Sequence, residues 1–125
     1  MTSPDELRLD EMLEAIERTK GYVARGRGVF FSDYDTRELV IHHLEHLSES
    51  ADQASQHLKR GYPLVPWRDL RELRTRLIHQ YMRPDPEAVW AFVRDRLPKI
   101  ERQLRRVRVA PEQPSGVRNR PLERR

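Results

Sequence analysis

Between residues 40 and 58, Val40, Leu44, Leu47, Ala51, Ala54 and Leu58 recur at alternating steps of four and three. That is the period of one helix face, whereas a half-buried strand would place apolar residues at every second position. Polar and charged residues fill the gaps, so the segment has one side to bury and one to leave in water. So regular a seam requires a packing partner, and the rest of the chain offers helices to supply it.

The first begins at Ser3-Pro4-Asp5-Glu6. Serine suits the cap, proline the first turn, and a glutamate three residues on reaches back to close a capping box. Behind it, Leu9, Met12, Leu13, Ile16 and Val23 share a face. Gly21, Gly26 and Gly28 loosen the chain, and residues 25–35 read as a loop. Asp35-Thr36-Arg37-Glu38 repeats the capping-box pattern and starts the second helix, whose seam runs on to Leu58. Gly61-Tyr62-Pro63 ends it. Pro66-Trp67 opens a third helix with Trp67, Leu70, Arg74, Leu77, Ile78 and Tyr81 along one stripe, halted by Pro84. Asp85-Pro86-Glu87 starts a fourth, with Val89, Val93, Leu97, Ile100, Leu104 and Val107 inward. Pro98 removes one backbone hydrogen bond there and predicts a kink rather than a break. The expected fold is all-α, an antiparallel four-helix bundle over residues 1–110. Residues 111–125 form a basic Pro/Arg-rich tail with little to bury, expected to be disordered.

With 37% apolar residues in 125, the core is thin, and such a domain gains by burying more surface as an oligomer. The absence of cysteine excludes disulfides, thiolate metal sites and thiol nucleophiles. No apolar run approaches a membrane span, and the first residues lack signal-peptide character, so a cytoplasmic protein is expected. The formal charge of +4 belongs to one end: residues 102–125 carry eight arginines against two glutamates, while residues 1–101 have a net charge of −2. Charge alone therefore does not make the body a nucleic-acid binder. One internal window, Arg68, Arg71, Arg74, Arg76 and Arg83 with His79 against Asp69 and Glu72, offers either a phosphate-attracting surface or a solvated helix face.

Two constellations bear on chemistry. His42-His43-Leu44-Glu45-His46 matches H-x-x-E-H, in which two histidines four apart on a helix can hold zinc. The same histidines flank the core seam, which makes them boundary residues, and a third ligand has no specified source. No metal and no cofactor are expected. The second constellation is Arg74-Thr75-Arg76-Leu77-Ile78-His79-Gln80-Tyr81. Histidine transfers protons near neutral pH, and arginine holds phosphate and the extra charge of a pentavalent transition state. Tyrosine adds a hydroxyl and a ring. This is equipment for metal-free RNA cleavage, though Arg, His and Tyr on a helix are also commonly structural.

At these residues the chain resembles the HepT toxins, minimal members of the HEPN superfamily, whose motif is Arg-x4-His-x-Tyr. Pro66-Trp67-Arg68 stands where that family has a Pro-Trp pair, and Val89-Trp90 where it has a recurrent Val-Trp. Leu9 to Ile16 is similar to the opening helix and Thr36 to Ala51 to the second, with Ser48-Glu49-Ser50-Ala51 where Gly-Glu-Ala is common. The resemblance covers residues 5 to about 104.

The resemblance implies a homodimer whose motifs face each other across a cleft. It implies a metal-independent endoribonuclease with Arg74 and His79 as catalytic pair, supported by Thr75, Arg76 and Glu49. It further implies the toxin of a type VII-like toxin–antitoxin system. An MntA-type nucleotidyltransferase antitoxin would use ATP to AMPylate Tyr81, placing bulk and negative charge in the RNA cleft. Two positions depart from the family: Thr75 replaces a common asparagine, and Ser48 a glycine whose loss would separate the helices slightly. They keep open a second reading, a catalytically weak or inactive HEPN module that binds nucleotide or RNA or pairs with a nucleotidyltransferase. Around an ideal helix, positions 74 and 79 lie about 140° apart while 74 and 81 nearly coincide. Arg74 and His79 therefore converge only through an irregular turn or a second chain.

Overall fold

The computed structural model describes residues 2–76 and 85–109, and within them every regular element is helical. Helix α1, Pro4–Val23, starts with the expected capping box: Glu6 N–H donates to Ser3 Oγ at 3.1 Å, and Ser3 N–H to Glu6 Oε1 at 3.0 Å. Met12, Ala15, Ile16 and Thr19 are its buried face, with Leu9, Leu13 and Val23 packed alongside. Thr19 satisfies its buried hydroxyl by donating to the Ala15 carbonyl at 2.9 Å.

The segment read as a loop contains a helix, α2, Arg27–Ser32. Gly26, at φ 102°, makes the left-handed turn into it. What holds it is Phe30, fully buried, whose ring lies 5.1 Å from those of both Phe31 and Trp90. Helix α3, Tyr34–Gln53, then starts two residues earlier than expected, because Asp33 rather than Asp35 is the cap. Asp33 accepts from Asp35 N–H at 3.2 Å and from the Thr36 hydroxyl at 2.6 Å.

All six seam residues from Val40 to Leu58 are buried, but they do not lie on one helix. Ala54 is extended, and Ser55 caps a separate α4, Gln56–Gly61, by accepting from Leu58 N–H at 3.0 Å. The break is stabilised from α1: the Asp5 carboxylate accepts from Ser55 N–H at 2.9 Å and from its hydroxyl at 2.6 Å.

Helix α5, Trp67–Arg74, is anchored by the Trp67 indole, which donates to the Tyr62 carbonyl at 2.9 Å. Its buried residues are Leu70 and Leu73. The expected stripe put Arg74 on that line; Leu73 occupies it, and Arg74 is turned out to solvent. Helix α6, Pro86–Ala91, passes through a π-helical turn, Phe92–Arg96, into α7, Leu97–Leu104. All six residues expected inward here, from Val89 to Val107, are buried. Pro98 has no N–H for the Arg94 carbonyl, and its ring crowds that carbonyl. The helix meets this by widening just before it, with Leu97 N–H reaching back five residues to Phe92.

Cross-helix bonds give the directions. Asp5 at the start of α1 meets Ser55 after α3, and Arg25 after α1 meets Thr36 at the start of α3, so these two are antiparallel. Lys20 meets Glu101 and Glu17 meets Arg105, so α1 and α7 are antiparallel too. The expected all-α bundle is thus present, with α2 and α4 as additions. Among the described residues, no helix is long and apolar enough to cross a membrane. Leu77, Ile78 and the tail at 111–125 lie outside the described residues.

Glu101 gathers the α1–α7 contact, accepting from Arg105 Nε at 2.9 Å and from Lys20 Nζ at 3.2 Å. Burial pushes its carboxyl pKa up, but the Arg105 and Lys20 hydrogen bonds outweigh this and hold it below its ordinary value. A depressed carboxyl pKa gives stability that is present above the unfolded-state value and lost as pH falls through the folded one. Both cations are about half exposed, so solvent screens the pair. Glu101→Gln should lower stability near neutral pH by about 0.5–1 kcal/mol. In thermal melts the gap to wild type should close as pH falls through and below 4.5. Parallel stability curves across that range would contradict the assignment.

Candidate functional site

The site begins where α3 and α5 touch. Ser48 is buried between them, and its hydroxyl donates to the Arg71 carbonyl at 3.2 Å. The serine that departs from the glycine pattern therefore bridges the helices. Leu70 and Leu73 are the buried residues of α5, and Arg74, one position past Leu73, comes out on the side of α3.

Arg74 lines a shallow open hollow of about 330 Å³ with His42, Glu45, His46 and Glu49 of α3. These four occupy the i, i+3, i+4 and i+7 stripe that burial of Val40, Leu44, Leu47 and Ser48 leaves outside. Arg74 and Glu49, both singled out from the sequence, thus share one groove. Among the described residues Arg71 and Arg74 have no ion-pair partner, unlike the nearby Arg68, Arg76 and Arg96. Arg68 pairs with Glu72 at 3.2 Å; Arg76 pairs with Glu72 at 3.4 Å and Asp69 at 3.7 Å. Arg96 takes Asp69 at 2.7 Å. The cationic window accordingly shrinks, within the described residues, to Arg71 and Arg74.

Arg76 is not brought to this groove. It lines a separate hollow with Leu73, Ala88, Ala91 and Phe92. Thr75 is exposed at the end of α5, its N–H bonded to the Glu72 carbonyl. Thr75 and Arg76 continue the chain in π-type geometry, an irregular turn between Arg74 and the rest of the motif. His79, Tyr81 and Arg83 lie outside the described residues.

The histidine cluster divides by environment. His43 is half-buried with its ring stacked 5.8 Å from Tyr22, and burial, aided by the nearby His42 and Arg18, holds its pKa below the ordinary 6.5. His42 packs edge-on against His43 at 5.2 Å, and both His42 and His46 are exposed beside the core seam. Among the described residues no group of three or more His, Cys, Asp and Glu side chains is arranged to hold a metal ion. Sequence reasoning had His42 and His46 as seam boundary. It missed that this boundary faces Arg74, since their four-residue spacing gives a shared face without naming the helix opposite.

Within the described residues the chain is thus an all-α bundle in which Arg74 lies over a groove lined by acidic residues and histidines. The family model described as Ribonuclease HepT-like matches residues 12–107. The chain belongs to that family. It is 29% identical over 104 residues to "Probable ribonuclease HepT" of Thermococcus cleftensis, covering 80% of this chain and 92% of that one. It is 30% identical over 78 residues to "Putative RNase MJ0127" of Methanocaldococcus jannaschii, covering 62% and 64%. It is 31% identical over 75 residues to "Putative RNase MJ1380" of the same organism, covering 60% and 69%. No solved structure matches the chain.

Proposed function

We propose that this HepT-like ribonuclease cleaves RNA in the α3–α5 groove without a metal ion, acting as the toxin of a type VII-like toxin–antitoxin pair. The observation that carries the reading is Arg74: exposed, without an ion-pair partner among the described residues, and set over the groove at the first position of Arg-x4-His-x-Tyr. A guanidinium without an ion-pair partner among the described residues is available to a scissile phosphate and to the charge added in the transition state. His79 transfers the proton between the ribose 2′-hydroxyl and the leaving oxygen. Glu49 supports the groove from α3, while Thr75 and Arg76 shape the turn that follows Arg74.

The protein acts as a homodimer, in which an isologous interface sets the two motifs beside one another and completes each site. Tyr81 is the position at which an MntA-type nucleotidyltransferase attaches AMP, adding negative charge where the RNA phosphate must sit. The competing reading, a non-catalytic HEPN module that binds nucleotide or RNA or pairs with the transferase, rests on Thr75 in place of asparagine. Threonine offers one hydroxyl where an amide offers a paired donor and acceptor.

Arg74→Ala and His79→Ala should each lower cleavage by at least ~100-fold, as for a lost oxyanion donor or general acid–base. Cleavage by wild type should persist in EDTA and leave 2′,3′-cyclic phosphate ends. Wild-type rates in His79→Ala would remove it from the chemistry, and EDTA-sensitive cleavage would return attention to His42 and His46.

Co-expression with an active nucleotidyltransferase partner should add whole AMP masses to the protein. Tyr81→Phe should abolish them and leave cells arrested despite the partner. Full protection of cells carrying Tyr81→Phe would reduce the residue to packing.

A further inference from the structure

Where α1 ends against α3, a half-buried imidazole is packed among cations. We propose that this contact is an acid-sensitive seal, in which a neutral His43 holds the end of α1 on α3 and proton uptake by His43 loosens it. The His43 ring stacks on Tyr22 of α1, with centroids 5.8 Å apart and planes 16° from parallel. The Arg25 guanidinium lies 5.0 Å from the centroid of the same tyrosine ring. His42, which lines the α3–α5 groove, meets the His43 ring edge-on at 5.2 Å. Tyr22 is also packed against the core, so the stack joins the last turn of α1 to the body of the bundle.

The groups around the ring decide what a proton does there. Facing it are Glu14, Arg18 and Tyr22 from α1, Arg25 from the turn behind α1, and His42 and His46 from α3 itself. Glu14, the one carboxylate among them, is already held by Arg18 at 3.3 Å. An imidazolium at this position would give up part of its water, share the Tyr22 ring with Arg25 and gain no carboxylate of its own. Burial first, then the neighbouring His42, Arg18 and His46, hold the His43 pKa below the ordinary 6.5. The unfolded chain therefore takes up this proton more readily than the folded one. Stability from the neutral ring is present above 6.5 and is lost as pH falls from there through the folded value. Opening one helix end costs less than unfolding the bundle, so the loss shows first in the last turn of α1.

Amide hydrogen exchange on the full-length protein reads the seal directly, from about pH 7.5 down to about pH 5, above the range in which Glu101 acts. After correction for the intrinsic exchange rate, protection of the Tyr22 and Val23 amides should fall several-fold in wild type, while that of Ile100 and Leu104 in α7 holds. In His43→Phe and His43→Gln, which take up no proton there, the fall should vanish. Arg18→Gln frees Glu14 for the imidazolium, so it should raise the midpoint of the His43 NMR titration and shrink the fall. A role in packing alone would speed exchange in the His43 variants at every pH and leave its pH dependence as in wild type. That result would overturn the proposal, as would a wild-type His43 midpoint at or above 6.5 or an unmoved midpoint in Arg18→Gln.

Discussion

Burial of α3 on more than one side is the constraint from which the remaining structure follows. Val40, Ile41, Leu44, Leu47 and Ala51, with Thr36, Ser48 and Ser50, are taken out of water between α1 and α5. Each of the valine, isoleucine and leucine side chains so buried contributes on the order of 1.5–3 kcal/mol, more than a surface ion pair. A helix buried over so much of its circumference has a fixed rotation. The stripe left to solvent, His42, Glu45, His46 and Glu49, is then fixed too. α5 is rotated by Leu70 and Leu73, and Ser48 reaches across to its Arg71 carbonyl. Packing therefore decides which arginines of a basic helix face the groove and which pair with Asp69 and Glu72.

Function and stability use different faces of the same elements. The ion pairs that hold the bundle shut, Lys20 and Arg105 about Glu101 or Arg96 on Asp69, do not draw in Arg74, which has no ion-pair partner among the described residues. A cation withheld from such pairing keeps its capacity for phosphate. The groove also carries two carboxylates, so on the proposed reading Arg74 acts by position and not by a local excess of positive charge, and the chain's net positive charge comes from residues 102–125. On that reading, steering of a polyanion and the chemistry performed on it would fall to different parts of the chain.

Much of this was legible in the sequence, for a physical reason that also marks the limit. The six inward residues from Val89 to Val107 were all recoverable because helical period survives even a π turn at Pro98. The same robustness concealed the break at Ala54, since Ala54 and Leu58 stay buried on either side of it. Only Ser55, a good cap, marked the new start. α2 was hidden by Gly26 and Gly28, while its true signal was the apolar run Val29-Phe30-Phe31 that the Phe30 anchor requires. Arg74 and Glu49 were visible as residues of interest, but their sharing a groove with His42 and His46 depends on how α5 is rotated against α3. No local pattern encodes that angle.

The account's central claim is that RNA binds along the α3 stripe opposite Arg74. The chain has five histidines, and among the described residues a larger hollow of about 850 Å³, lined by His57 with Ser3, Arg60, Tyr62 and Arg108, offers a rival location. NMR titration of the imidazole carbon-bound protons with a 2′-deoxy-substituted RNA that cannot be cleaved decides between them. The account predicts saturable shifts of the His46 and His42 signals, with His57 unmoved. Saturable shifts of His57 with His46 and His42 unchanged would place RNA in the hollow beside α4 and contradict it.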